Sequence, residues 1–236
     1  MVSWLISAMV SAILGGCSSF SKSPLGRTIS PPDVKIMSYH YRANLTLLRD
    51  MMQRLYRKNP CYEPDQRSRM EKMDFLFNPG YSARQARWYQ NLSAIEDMGC
   101  PVLTLPSHRL LDMAFSPEPC YHDRIFLLIM GLKKSLDEAY SVTDGVFVTG
   151  CQIPVEQLQR LYHNFQVAKW RLKSRRFPDG TPVFYANEAG RGGYINMGYE
   201  VIFTTILTRI ADDIYLRSGL EGHFAIRLGA SFMAIL

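Results

Sequence analysis

Residues 122–140, "HDRIFLLIMGLKKSLDEAY", decide the fold class. Ile125, Leu128, Ile129, Leu132, Leu136 and Ala139 recur at the three- and four-residue intervals of one helical face. Phe126, Leu127 and Met130 widen that face over the first half, which is more apolar surface than a helix with one side in water carries. The segment is therefore expected to be a central helix, covered on most sides by elements supplied from the rest of the chain.

Those elements are legible on both flanks. Residues 38–60 place Leu45, Leu48, Met52 and Leu55 in helical phase, with Leu47 and Met51 beside them and Pro60 past the end. Residues 64–80 and 82–99 read as two further helices, the second opening on Ser82 as its N-cap and closing before Gly99. A short helical turn is expected after Ser107. Residues 154–176 form a cleaner amphipathic pattern, with Pro154 at the first helical position and Val155, Leu158, Leu161, Tyr162, Phe165, Ala168 and Leu172 in one stripe. Residues 198–219 carry Tyr199, Ile202, Phe203, Ile206, Ile210 and Ile214 in phase and stop at Gly219. "VTDGVFVTG" (142–150) and "FPDGTPVFYAN" (177–187) each join an Asp-Gly turn signal to a short β-prone run. The final nine residues, after Arg227, are uncharged and are expected to dock on the core, the alternative being an exposed docking surface. No helical-repeat period is present. The expected fold is a single, mainly α, multi-helix domain over residues 34–236 with at most a small two-stranded β element.

Hydrophobic residues make up 47% of the chain and charged ones 20%, which excludes a disordered polymer and provides for a substantial core. All the charges lie beyond Cys17, so the net charge of +6 belongs to the domain and its linker and invites an acidic partner such as anionic lipid headgroups or lipopolysaccharide. The densest cationic run is Lys169, Arg171, Lys173, Arg175 and Arg176. It is a candidate anion or headgroup patch, or a solvated helix end that complements the helix dipole. Cys61, Cys100, Cys120 and Cys151 are spaced 39, 20 and 31 residues apart, with no C-x-x-C pair. Two structural disulfides are expected, and the sequence leaves their pairing open among three connectivities.

The N-terminus carries an address. From Val2 to Leu14 there is no charged side chain, and the apolar run ends at Cys17, too short for the roughly 20 residues of a membrane span. Residues 18–33, "SSFSKSPLGRTISPPD", have the Ser/Pro-rich composition of a tether. Leu14-Gly15-Gly16-Cys17 resembles the lipobox of bacterial lipoproteins, in which an aliphatic and two small residues precede a cysteine that receives diacylglycerol. The resemblance implies a signal peptide over 1–16, a lipidated Cys17 heading a tether over 17–33, and, from Ser18, delivery to the periplasm-facing side of the outer membrane. It implies no cofactor beyond acyl chains on Cys17. "MGLKKSLDEAY", "LYHNFQVAKWRL" and "YEVIFTTILTRIADDI" are loosely similar to helical lipoproteins of proteobacteria, a similarity that carries no activity.

Catalytic motifs are not legible. His40, His108, His122, His163 and His223 show no metal-ligand spacing, and no nucleophile elbow, Walker loop or dinucleotide fingerprint occurs. The pairs His122-Asp123 and Asp212-Asp213 read as surface or capping residues. "AGRGGY" (189–194) reads as a connection, because it lacks the Lys-Ser/Thr of a phosphate loop. Glu188 is the acid that a wall-lytic enzyme would need, without the surrounding motif. The expected function is a lipid-anchored, non-enzymatic binding or assembly module, with the membrane and an envelope protein as partners and nucleic acid disfavoured by the export signal. The alternatives are a cell-wall- or lipid-acting enzyme and a lipid- or lipopolysaccharide-binding protein.

Overall fold

A computed structural model describes residues 32–143, 146–147, 153–186 and 197–218. Among them run seven helices: α1 (Pro32–Lys58), α2 (Gln66–Phe77), α3 (Arg87–Asp97), α4 (Ser107–Ala114), α5 (Arg124–Ala139), α6 (Val155–Ser174) and α7 (Gly198–Ser218). The mainly helical single domain expected from periodicity is what the chain forms. The β element is a hairpin of two-residue strands, β1 (Val142–Thr143) against antiparallel β2 (Val146–Phe147); the second Asp-Gly segment adds an isolated bridge between Arg176 and Pro182.

α5 is the central helix. Twelve of its sixteen residues are buried, including every apolar position from Ile125 to Leu132, with α1, α2, α4 and α6 packed around it. Cross-contacts fix the directions of the long helices. Tyr56, late in α1, bonds to Asp123 at the start of α5 (2.9 Å), and Tyr41, early in α1, bonds to Asp137 near the end of α5 (2.7 Å). Lys58 lies over the Tyr199 ring, and His40 Nδ1 is 2.7 Å from Asp213, so α7 also runs against α1. Lys169 pairs with Glu200 and Arg217 donates to the Ile153 carbonyl, so α6 runs against α7. Helices α1, α5, α6 and α7 thus form an up-down-up-down four-helix ring, and α2, α3 and α4 are inserted between its first and second members.

Three helix starts differ from expectation. α3 begins at Arg87 rather than at Ser82: the backbone turns first, through an Ala86 N–H to Ala83 carbonyl bond of 2.8 Å, and no side chain caps the helix at Ala86. Pro154 stands at the cap of α6 with extended ψ (140°), and the first helical residue is Val155. α1 begins at Pro32, ahead of the periodic signal at Ser38, and its last turn carries Arg57 and Lys58 against the negative end of the dipole.

The inserted helices are held by polar groups that the periodicity did not flag. Asp123 is wholly buried, so it is a capping residue but not a surface one. Its Oδ1 accepts the Phe126 N–H (3.0 Å) to cap α5, and its Oδ2 accepts from Tyr56 and from Lys72 Nζ (2.6 Å). Lys72, also fully buried, reaches Glu63 at 2.5 Å as well and is enclosed by the rings of Trp88, Tyr121 and Phe126, 5.4–5.8 Å from its ammonium. Burial alone would lower the pKa of Lys72, but Asp123, Tyr121 and Glu63 outweigh it and hold the ammonium above its ordinary range. At the other end of the ring Asp213, likewise read as surface, is buried between His40 and the Tyr140 hydroxyl; burial raises its carboxyl while those two partners oppose the rise. Asp212 beside it stays exposed.

α4 comes unusually close to α5 because residue 131 is glycine. A Cβ there would stand 2.9 Å from Leu111 Cγ and 3.2 Å from Leu110 Cβ. Glycine inside a helix costs roughly 1 kcal/mol relative to alanine, and here the close approach offsets it.

Two predictions follow from the buried ionic groups. Lys72→Met leaves Glu63 and Asp123 buried without a counter-ion, so it should cost about 3–5 kcal/mol in urea unfolding, and Glu63→Gln in the same chain should recover part of the loss. High pH should also unfold the protein. Tyr56 and Tyr140 are pushed well above the ordinary 10.0 and Tyr121 to about 12, mainly by burial, and Lys72 is raised as well. For each group the folded state holds its proton more tightly than the unfolded chain. Their contribution is therefore full below about pH 10 and is lost as pH rises. The melting temperature should fall steeply between pH 10 and 12, with tyrosinate absorbance appearing together with the loss of helical circular dichroism.

Candidate functional site

α4 and α6 both lean on α5 and meet through the Arg171–Asp112 ion pair, and the space left between them is a groove of about 690 Å³ that continues into a smaller one of about 260 Å³. Helical spacing places its lining. Ser135, Glu138 and Ala139 project from one face of α5 to form the floor. Gln157, Arg160, Leu161 and Asn164 supply one wall from successive turns of α6, and Ser107, His108 and Leu111 supply the other from α4.

The α4 wall is anchored firmly. Ser107 Oγ donates to Glu138 at 2.7 Å. Lys134 Nζ donates to the Leu103 and Leu105 carbonyls at 2.6 and 2.8 Å, and burial lowers its pKa. The guanidinium of Arg124, at the start of α5, takes the Ala114, Ser116 and Pro117 carbonyls, which closes the C-terminal end of α4. Cys100 and Cys120 form a disulfide, Cα–Cα 5.9 Å, on either side of α4 in sequence. The expectation of two disulfides is thus met by one among the described residues. Cys61 is corrected to a free, exposed thiol, and Cys151 lies outside the described residues.

Two polar atoms in the groove have no partner. Ser135 is 3% exposed and its Oγ makes no hydrogen bond, and the shielded Oε1 of Gln157 accepts none. Most buried polar groups in a folded protein are satisfied, and an orphan costs about 1–3 kcal/mol. Asn44 Nδ2 on α1 is likewise without a partner, so what sets Ser135 and Gln157 apart is that both line the groove. By contrast the Lys72–Glu63–Asp123 cluster is closed and internally satisfied, which makes it structural.

The other residues singled out by sequence are placed as follows. Lys169 points toward α7 and pairs with Glu200 (2.9 Å), whereas Arg171 points toward α4, pairs with Asp112 (2.7 Å) and closes one end of the groove. Residues two apart on a helix diverge by about 200°, so these two do not share a face. Lys173, Arg175 and Arg176 are exposed at and beyond the helix end. His108 and His163 meet in the groove, His40 belongs to the Asp213 cluster, and His122 lies against the Tyr121 ring. Cys17, Glu188, residues 189–194, His223 and the uncharged C-terminus lie outside the described residues.

Sequence reading passed over Ser135 and Gln157 as sites. Ser135 interrupts the stripe Leu128–Leu132–Ala139, and Lys72 shares the buried phase of Leu76; a polar residue in an apolar stripe was the available signal. Among the described residues no helix is long and apolar enough to cross a membrane, and no three His, Cys, Asp or Glu side chains converge to hold a metal ion. No protein-family model, curated protein or solved structure matches the chain.

The disulfide spans 20 residues, and closing a loop of that size contributes about 3 kcal/mol. Replacing Cys100 and Cys120 together by Ala should lower stability by that amount in denaturant titration. Hydrogen exchange should rise first in α4, the segment inside the loop.

Proposed function

We propose that the chain is a lipid-anchored cell-envelope protein, held by diacylglycerol on Cys17 at the periplasmic side of the outer membrane, whose helical domain is a non-enzymatic binding module. The α4–α6 groove is its binding surface. The observation that carries the binding half is the pair of unsatisfied polar atoms, Ser135 Oγ and Gln157 Oε1, in a groove whose volume lies in the range of small-ligand sites. The anchor half is supported by Leu14-Gly15-Gly16-Cys17 behind an uncharged apolar run.

The two halves are tested separately. Wild type should incorporate a palmitate analogue and partition into detergent, and Cys17→Ser should do neither while keeping its melting temperature, since the described core does not use Cys17. Acyl label that persists in the variant overturns the anchor. A photo-crosslinking residue at Gln159, on the rim of the groove, should give a discrete adduct in intact envelopes, and the same residue at exposed Arg57 of α1 should give none. Absence of an adduct at 159, or equal labelling at both positions, overturns the binding site.

A further inference from the structure

From the lining of the groove we infer its ligand class: a neutral, hydroxyl-rich saccharide. This rests on the groove being the binding site proposed above. Three features select the class. The first is charge. Asp112 and Arg171 are spent on each other, Glu138 is engaged by Ser107, and Glu156 and Arg160 are exposed at the rim. The lining thus holds three carboxylates against two guanidinium groups, an excess of negative charge that disfavours a phosphate or carboxylate ligand.

The second feature is the kind of polar group. Buried Ser135 Oγ can donate or accept, Gln157 Oε1 needs a donor, and Gln159 and Asn164 add planar amides beside them. Sugar hydroxyls, which donate and accept at once, match such a set. The third is how little the apolar wall residues expose. Leu111, Leu161 and Ala168 are themselves at least nine-tenths buried, so these side chains offer little open surface to the anchoring side chains on which peptide recognition depends. The exposed imidazoles of His108 and His163 instead present flat rings and ring nitrogens at the rim.

Leaving two polar atoms unsatisfied lowers the stability of the free domain, and a bound hydroxyl would remove that cost. Ser135→Ala is therefore the informative variant: it should weaken ligand binding and leave the fold as stable as before or more so.

The test titrates the full chain in detergent micelles with fully N-acetylated, and therefore neutral, chitotetraose, and in parallel with tetraalanine and with inorganic phosphate, by calorimetry. Chitotetraose should bind, while the other two should give no signal. Ser135→Ala and Gln157→Leu should each weaken binding about three- to tenfold, the value of one neutral hydrogen bond. The melting temperature of Ser135→Ala should be unchanged or higher. Absence of chitotetraose binding overturns the inference, as does preferential binding of tetraalanine or phosphate, or a fall in the Ser135→Ala melting temperature that reveals a structural hydroxyl. If the adduct at position 159 forms while chitotetraose fails to bind, the ligand class alone falls. Loss of that adduct removes the binding site itself.

Discussion

The carboxylate of Asp123 is the interaction on which the rest of the structure depends. One oxygen caps the central helix, and the other receives the Tyr56 hydroxyl from α1 and the Lys72 ammonium from α2. A single buried group thereby fixes where α5 begins, which end of α1 lies beside it, and where the inserted helices start. Its charge is tolerable inside the core because Lys72 lies 2.6 Å away and hydrogen bonds occupy both oxygens. The aromatic box around Lys72 excludes water, so the attraction between the ions is screened weakly.

The insertion of α2–α4 into an otherwise simple ring creates the groove. A four-helix ring alone would expose the flank of α5, and α4 covers only part of it. Gly131 lets α4 approach closely, Lys134 and Arg124 secure the segments before and after it, and the Cys100–Cys120 bond joins those segments. On the far side α6 is held by α7 through apolar contacts such as Phe165 against Phe203. The two walls stand on one floor and are tied to each other at one end by the Arg171–Asp112 pair, which keeps the distance between them set in the absence of any occupant.

Two sets of buried polar groups in this protein differ in how they are bonded. Those of the Asp123 and Asp213 clusters come from distant parts of the chain, and their bonding potential is used inside the protein. Ser135 Oγ and Gln157 Oε1 line the groove without a protein partner, as Asn44 Nδ2 lacks one on α1. The first set orients helices; the second is carried at a cost to stability.

The periodicity of residues 122–140 by itself determined that the protein is helical and that α5 is central, because an apolar face so wide has no stable place in water. The apolar spacing of the other segments placed the remaining long helices, with ends off by up to six residues, and the Asp-Gly signals allowed at most a small two-stranded β element. The partners of buried charges were decided only in three dimensions. His122-Asp123 and Asp212-Asp213 read as surface or capping residues, and although Asp123 does cap α5, no local pattern announces that it is buried or that a lysine 51 residues away will neutralise it. The cysteines gave a count without a pairing, since loop closure is set by where α4 packs. Lys169 and Arg171, adjacent in a cationic run, face opposite sides of α6 because the helix turns about 100° per residue. Ser135 and Gln157 came to line one groove only through the packing of α4 and α6 on α5, which includes the close approach of α4 at Gly131.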